Sequence, residues 1–98
     1  MKITYRTRDL ERVCNDKRLA IKKYGTLSAK WLEVCLLSLK GSSLDELLHI
    51  GFRHIHLLER EYAGCYAMRL DGGLRLVFSV SNHGEIEIVC IEDIIDYH

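Results

Sequence analysis

The sequence predicts an α+β domain built on a small antiparallel, partly mixed β-sheet of four to five strands, with two or three N-terminal helices packed on one face. Two patterns lead to this prediction. Apolar residues recur at helical spacing over residues 9–40, and they alternate with polar residues from position 52 onwards. A chain of 98 residues that is 48% hydrophobic can fill one core, so residues 1–98 are predicted to form a single domain.

The N-terminal half is predicted to contain one strand and two longer helices. Residues 2–6 alternate apolar and polar side chains, as in a strand that pairs with a distant segment. A helical pattern over residues 9–24 stops at Gly25, and the dipeptide at positions 15–16 can divide it into two helices. The next helix covers residues 28–40.

A capping box marks a further helical turn, because Glu46 follows Ser43 by three residues. Residues 52–57 then alternate apolar and polar side chains and predict a strand. A turn at residues 82–84 and a last strand over residues 85–91 complete the predicted sheet.

The central feature of the second half is a β-hairpin with Asp71-Gly72-Gly73 as its loop. Glycine supplies the positive φ angle that a three-residue loop requires. A two-residue loop would bury Arg69, which the alternation of side chains disfavours. The three-residue loop instead joins the apolar side chains in three pairs: Leu70 with Leu74, Met68 with Leu76 and Tyr66 with Phe78.

The same register places Arg69 opposite Arg75 on the other face of the hairpin. Like charges in this position destabilise a sheet, and two explanations are open. In the first explanation, the arginines form ion pairs with carboxylates on the last strand, and each exposed pair contributes ~0–1 kcal/mol to stability. Alternatively, they face water and bind an anion such as phosphate, which a guanidinium binds bidentately. The candidate carboxylates are Glu85, Glu87 and Glu92.

Composition excludes several classes of protein. No apolar leader is present and no apolar run is long enough to cross a bilayer, so we predict a soluble, cytoplasmic protein without a membrane partner. The four cysteines lack C-x-x-C spacing, which favours buried free thiols over a zinc or redox motif. Of the five histidines, His54 and His56 share a face of the predicted strand, but no carboxylate is evident as a third ligand. We predict no metal and no cofactor.

The formal net charge is zero, whereas a nucleic-acid-binding domain usually has a basic excess. The distribution is uneven, because basic residues crowd the first third of the chain and most acidic residues come later. The basic residues of the first third can also be explained as a helix face that is exposed to solvent.

Several motifs over residues 43–98 occur in an order that is familiar from one family. They resemble the HigB toxins, the killer-protein branch of the RelE/ParE superfamily. The closing triplet is the most specific of them. The motifs are Ser43-x-x-Glu46-Leu47, Gly51-Phe52-Arg53-His54-Ile55-His56-x-Leu58, Gly64-x-Tyr66-Ala67-Met68-Arg69-Leu70, Leu74-Arg75-Leu76-x-Phe78 and Asp96-Tyr97-His98.

The resemblance implies a RelE-like fold and ribosome-dependent cleavage of translated mRNA in the decoding site. It also implies silencing by a HigA-like helix-turn-helix antitoxin, through which alone the toxin would meet DNA. By position, the family's conserved hairpin arginine corresponds to Arg75. The family's catalytic set corresponds to His56, Asp96, Tyr97 and His98.

The residue types support this chemistry independently. Metal-free RNA cleavage needs a base for the 2′-hydroxyl proton, an acid for the 5′-oxygen and a cation for the phosphate. Imidazole suits the first two roles because its unperturbed pKa is about 6.5, so His56 and His98 can divide them. Each side chain also has a structural interpretation, as a packed ring, an edge histidine or a frayed terminus. The other predicted roles are ring orientation (Asp96), base contact (Tyr97), phosphate binding (Arg75) and substrate binding (Arg53, His54 and Arg69).

A binding module with the same fold is the alternative hypothesis. It would be either a gyrase-directed toxin or a degenerate homologue that only binds an antitoxin. Glu59 favours this alternative, because the family tends to have a lysine there, and Glu61 lies close behind. The terminal triplet favours the nuclease, since a pure binding protein has no need of it.

Overall fold

The computed structural model describes residues 1–96. Its helices are α1 (Arg8–Asn15), α2 (Lys17–Tyr24), α3 (Thr26–Gly41) and α4 (Leu44–Ile50). Its strands are β1 (Lys2–Tyr5), β2 (His56–Leu57), β3 (Tyr66–Arg69), β4 (Leu74–His83) and β5 (Ile86–Asp96). Short 3-10 turns cover Phe52–His54 and Arg60–Tyr62. Among residues 1–96, no helix combines the length and the apolar character that crossing a membrane requires.

Asp16 divides the first helical pattern into α1 and α2, at the predicted position. Its carboxylate accepts hydrogen bonds from the backbone N–H groups of Arg18 and Leu19 at 3.0 and 3.2 Å. Because the first N–H groups of a helix lack an intrahelical acceptor, this carboxylate is the N-cap of α2. Gly25 ends α2 with a φ of 89°, which L side chains rarely adopt.

The predicted capping box is present at the start of α4. The Ser43 N–H donates to Glu46 Oε1 at 3.0 Å, and the Glu46 N–H donates to Ser43 Oγ at 3.2 Å. Gly51 ends α4 in the left-handed conformation, with its N–H directed at the carbonyl oxygens of Leu47 and Leu48. These two caps set the beginning and the end of α4, and the chain turns towards β2 after Gly51.

The sheet is mixed, with the strand order β1-β5-β4-β3-β2. β1 is parallel to β5, and the other neighbouring strands are antiparallel. The N-terminal strand therefore pairs with the last strand, which is the non-local pairing predicted for residues 2–6. This α+β architecture confirms the predicted class, although the helices number four within residues 1–96 instead of two or three.

The core lies between the helices and one face of the sheet. α3 is the longest helix and contributes buried residues along its whole length. Burial of each large apolar side chain stabilises the fold by about 1.5–3 kcal/mol. The largest fully buried side chains are Leu32, Leu39, Leu47, Met68, Leu70, Leu76, Phe78 and Ile91.

The strand predicted over residues 52–57 is wrong. Arg53 and His54 have φ angles of 49° and 54°, and only His56 and Leu57 pair with β3. The alternating pattern misleads here because the chain bends through a 3-10 turn before it reaches the edge of the sheet. The prediction that His54 and His56 share a strand face is therefore wrong as well, because only His56 belongs to a strand.

The last strand is longer than predicted and runs over Ile86–Asp96 instead of residues 85–91. The preceding turn lies at Gly84 and Glu85, not at residues 82–84. Val77 pairs with Asp93 while the next residue of β4 pairs with Ile91, so Glu92 is the extra residue of a β-bulge. This bulge lets the end of β5 continue along the first half of β4.

Candidate functional site

Four of the predicted site residues lie at one end of the sheet: His56, Arg69, Arg75 and Asp96. At this end β2 begins, β3 ends, β4 begins and β5 ends, because these neighbours are antiparallel. We call it the loop end, since it carries the hairpin loop at residues 71–73. The sheet topology thus gathers side chains that are far apart in sequence.

The hairpin register is the one predicted from a three-residue loop, with Arg69 directly opposite Arg75. Both side chains lie on the open face, which is the face of the sheet opposite the helices. Arg69 is exposed and Arg75 is half-buried. Arg75 Nη1 donates to the carbonyl oxygens of Gly72 at 2.8 Å and Leu74 at 3.2 Å, so the loop backbone holds this guanidinium.

The carboxylates that were alternative partners of the arginine pair lie elsewhere. Glu85 and Glu87 are at the opposite end of β5 from Arg75. Glu92 accepts a hydrogen bond from Ser79 Oγ at 2.7 Å. At a rise of ~3.3 Å per residue, Ser79 is roughly 13 Å along β4 from Arg75. These positions argue against ion pairs with the three glutamates. They favour the second explanation, in which the arginines face water and bind an anion.

His56 is exposed at the start of β2 and pairs with Ala67. Ala67 pairs in turn with Val77, two residues beyond Arg75, so His56 and Arg75 share the open face. A strand spacing of ~4.8 Å and a rise of ~3.3 Å per residue place their Cα atoms roughly 12 Å apart. The Nδ1 atom of His56 lies 2.8 Å from the carbonyl oxygen of His54, whose own side chain is exposed.

Arg53 has protein partners where the sequence predicts substrate. Its Nε donates to the carbonyl oxygen of Arg69 at 2.9 Å, and its Nη2 donates to that of Leu70. Its Cζ lies 3.7 Å from the centroid of the Trp31 ring, which is a cation–π contact. These contacts join the 3-10 turn before β2 to the end of β3 and to α3.

Asp96 lies on the face opposite the arginine pair. It is the register partner of Leu74, whose side chain is buried under the helices, whereas Arg75 is on the open face. Asp96 lines a cleft between α2 and the hairpin loop. The structure therefore brings Asp96 to the same end of the sheet as Arg75 but not to the same face. Tyr97 and His98, the other predicted catalytic residues, lie outside the described residues.

One polar pair on the open face is not evident from the sequence. Tyr62 Oη donates to Asp93 Oδ2 at 2.7 Å, although Tyr62 belongs to the β2–β3 connection and Asp93 to β5. Because β3 and β4 lie between them, the Tyr62 side chain has to cross the open face. Ala67 and Val77 are completely buried on the same face. No periodic pattern predicts the pair, since its members are 31 positions apart.

The cysteines are less buried than predicted. All four are free thiols, and Cys35 is the fully buried one. Burial raises the pKa of Cys35 to about 12 and that of Cys14 to about 11. The pKa values of Cys65 and Cys90 are raised by burial first and by a nearby carboxylate second. These thiols therefore stay protonated at neutral pH and are poor candidates for catalysis.

No protein-family model matches the chain, and no curated protein matches it in sequence. Solved structures do match. The YoeB/ParE toxin from Agrobacterium tumefaciens has a TM-score of 0.68 at 14% identity, with 100% of both chains covered. The YoeB–YefM complex from Staphylococcus aureus has a TM-score of 0.64 at 20% identity, covering 100% of this chain and 97% of that one.

A heterotetrameric YoeB–YefM toxin–antitoxin complex from Staphylococcus aureus has a TM-score of 0.61 at 20% identity, with the same coverage of 100% and 97%. Identities this low establish the fold alone. Nothing in the matches singles out the HigB branch. The chain has the α+β fold of the YoeB/ParE toxins.

Proposed function

We propose that this chain is the toxin of a type II toxin–antitoxin system, of the HigB branch, and that it cleaves translated mRNA in the decoding site of the ribosome. One observation carries the proposal. An exposed imidazole, His56, shares the open face with Arg69 and Arg75, whose like charges are placed directly opposite each other. Cleavage of a phosphodiester needs a proton acceptor and cations on one surface, and here the Cα atoms of His56 and Arg75 lie roughly 12 Å apart on the same face.

The proposed reaction is an internal displacement at phosphorus. His56 removes the proton of the 2′-hydroxyl group, and the 2′-oxygen attacks the adjacent phosphorus. The bond from phosphorus to the 5′-oxygen breaks, and the leaving oxygen takes a proton from the acid, a role that we assign to His98. The products are a 2′,3′-cyclic phosphate and a free 5′-hydroxyl group. General acid and base groups of this kind accelerate reactions by about 10²–10⁴-fold.

The arginine pair neutralises the charge that grows on the phosphate. Residues directly opposite in an antiparallel pair have Cα atoms roughly 4.5–5.5 Å apart, so Arg69 and Arg75 can contact one phosphate or two successive ones. Gly72 already orients the guanidinium of Arg75 at 2.8 Å, which reduces the entropy lost on binding. The ribosome supplies the remaining affinity for RNA, and this is how a chain of zero net charge acts on mRNA.

The remaining roles belong to the end of β5. We assign contact with a base of the mRNA to Tyr97. Asp96 lies on the helix-covered side of the sheet, so we assign it the orientation of an imidazole ring and no contact with the reacting phosphate.

The proposed partner is a HigA-like helix-turn-helix antitoxin in the cytoplasm. The Staphylococcus aureus structures are complexes of YoeB with YefM, one of which is described as a toxin–antitoxin heterotetramer. By analogy, we expect this chain to be silenced by a protein partner and to meet DNA only through it.

Induced expression in a bacterial host tests the proposal. We expect growth arrest with codon-linked cuts in translated messages, and we expect Arg75→Ala and His98→Ala to relieve both. Arg12→Ala, which removes an exposed charge from α1, is the matched control and should leave the arrest unchanged. Arrest that persists in both site variants would reject these roles.

One observation favours the second candidate, a binding module without nuclease activity. Glu59 and Glu61 are both exposed in the β2–β3 connection, directly beyond His56 and Leu57. Their carboxylates repel a phosphate backbone. Intact messages with DNA damage after induction would support a gyrase-directed toxin, and intact messages without growth arrest would support a protein that only binds an antitoxin.

A further inference from the structure

The turn before β2 contains two consecutive residues in a conformation that L-amino acids rarely adopt. Arg53 has φ 49° and ψ 43°, and His54 has φ 54°. Neither residue is a glycine. Such strain persists only where the surrounding structure imposes it, and it is often found beside functional groups.

The guanidinium of Arg53 fixes one side of this turn. It donates to the last carbonyl groups of β3, at Arg69 and Leu70, and it stacks on Trp31 of α3. Ile55, which follows the turn, is 8% exposed and anchors its other side in the core. The backbone at His54 is therefore held between two fixed points.

The strained backbone directs the carbonyl group of His54 at the ring of His56. The oxygen lies 2.8 Å from Nδ1. A carbonyl oxygen can only accept a hydrogen bond, so Nδ1 has to carry the proton. In the neutral ring the other nitrogen, Nε2, then has a free lone pair.

We propose that the turn at Arg53 and His54 holds His56 as its Nδ1-protonated tautomer, so that Nε2 is the atom that accepts the 2′-hydroxyl proton. The nature of the substrate rests on the function proposed above, whereas the tautomer does not. Proton transfer to Nε2 yields an imidazolium ring whose Nδ1–H remains bonded to the His54 carbonyl group, and the carbonyl dipole stabilises that charge. Arg53 is then a positioning residue, and His56 is the base.

The tautomer is measurable in the free protein by long-range ¹H–¹⁵N correlation at about pH 8.5, well above the usual titration range of imidazole. A His98→Ala background permits production of the labelled chain. We expect the neutral ring of His56 to carry its proton on Nδ1. A ring protonated on Nε2 would overturn the proposal, whatever the activity of the protein.

Arg53→Lys tests the positioning role, because lysine keeps the charge but loses the planar fork and the stack on Trp31. We expect the Nε2-protonated tautomer to become the major form. Arg60→Lys is the matched control, since Arg60 also has a positive φ, of 61°, in a 3-10 turn. The control should leave His56 unchanged. A tautomer that Arg53→Lys leaves unaltered would overturn the role of Arg53.

Kinetics separate this role from the substrate binding that the sequence predicts for Arg53. In the active chain, we expect Arg53→Lys to lower kcat about tenfold at constant KM, as loss of a correctly oriented base would. A raised KM at constant kcat would instead show substrate binding and overturn the inference. If Arg53→Lys does not fold, His54→Gly serves in its place, because glycine accepts the backbone conformation and keeps the carbonyl group. It should retain the Nδ1-protonated ring, and loss of that tautomer would contradict us.

An Nδ1-protonated His56 in a protein that leaves mRNA intact would mean that the proposed function has failed while the inference about the ring stands.

Discussion

Arg69 and Arg75 are direct cross-strand partners on the face of the sheet opposite the helices. Two guanidinium groups in this position repel each other, and the fold gains no stability from keeping them together. An anionic ligand between them would reverse the sign of that interaction. Stability and the proposed binding of phosphate therefore make opposite demands on this pair.

Removing one charge of the pair separates the two effects. We expect Arg69→Gln to raise the free energy of unfolding by about 0.2–1 kcal/mol, because it abolishes a like-charge cross-strand contact. The same change should weaken mRNA cleavage. Denaturant unfolding measures the first effect, with Lys30→Gln on exposed α3 surface as the control for loss of one positive charge. A less stable Arg69→Gln protein would mean that the arginines are already neutralised.

The hydrogen bond across the open face contributes to stability. We expect Tyr62→Phe to cost about 1 kcal/mol of unfolding free energy, because it removes the 2.7 Å bond to Asp93. The loss is limited since the other oxygen of Asp93 still accepts from the Ile94 N–H at 2.8 Å. Tyr66→Phe is the matched control, as its ring keeps its stack on Phe78. Equal effects of the two substitutions would argue against the Tyr62–Asp93 contact.

The fold should lose stability in alkali through its thiols. Burial raises the pKa of Cys35 from 9.0 to about 12, so the folded state holds this proton more tightly than the unfolded chain. The stabilisation is complete below pH 9 and falls by about 1.4 kcal/mol per pH unit as the pH rises towards 12. Cys14, with a pKa of about 11, acts in the same direction.

Measuring the free energy of unfolding from pH 8 to pH 11 tests the predicted loss of stability in alkali, with Cys35→Ser as the comparison. The variant should be less stable at pH 8 but should lose less stability on going to pH 11. Parallel pH profiles for the two proteins would exclude the buried thiol as the cause.

The capping box at the start of α4 supports the segment that leads to His56. We expect Ser43→Ala to lower the free energy of unfolding by about 1 kcal/mol, because the Glu46 N–H loses its acceptor. Ser43→Thr keeps a hydroxyl group at the cap and should stay within a few tenths of the original stability. Chemical denaturation of the two variants decides between capping and simple packing, since packing alone would be more disturbed by the larger threonine.

Features that depend on neighbouring residues follow directly from the sequence. The capping box, the break at Asp16 and the stop at Gly25 each involve hydrogen bonds or φ angles within one helical turn. The hairpin register follows equally well, because a short glycine loop determines which residues oppose each other. The pairing of Arg69 with Arg75 was therefore predictable.

Features that depend on contacts between distant residues could not be predicted from the sequence. Tyr62 and Asp93 meet only because strand order brings a loop across two strands. Trp31 and the end of β3 hold the guanidinium of Arg53 at the strained turn, whereas alternation of residue types alone predicted a strand there.

The chemistry available to this protein, a set of imidazoles, guanidiniums and carboxylates on an α+β fold, is written in local patterns of its residues. Which of them act together is decided by the assembled sheet. The bulge at Glu92 shows why: one extra residue reverses the alternation of every side chain after it, so Asp96 lies with Leu74 on the helix-covered face and not beside Arg75. Alternation is a local rule, but its phase is set by strand pairing, which no short segment contains.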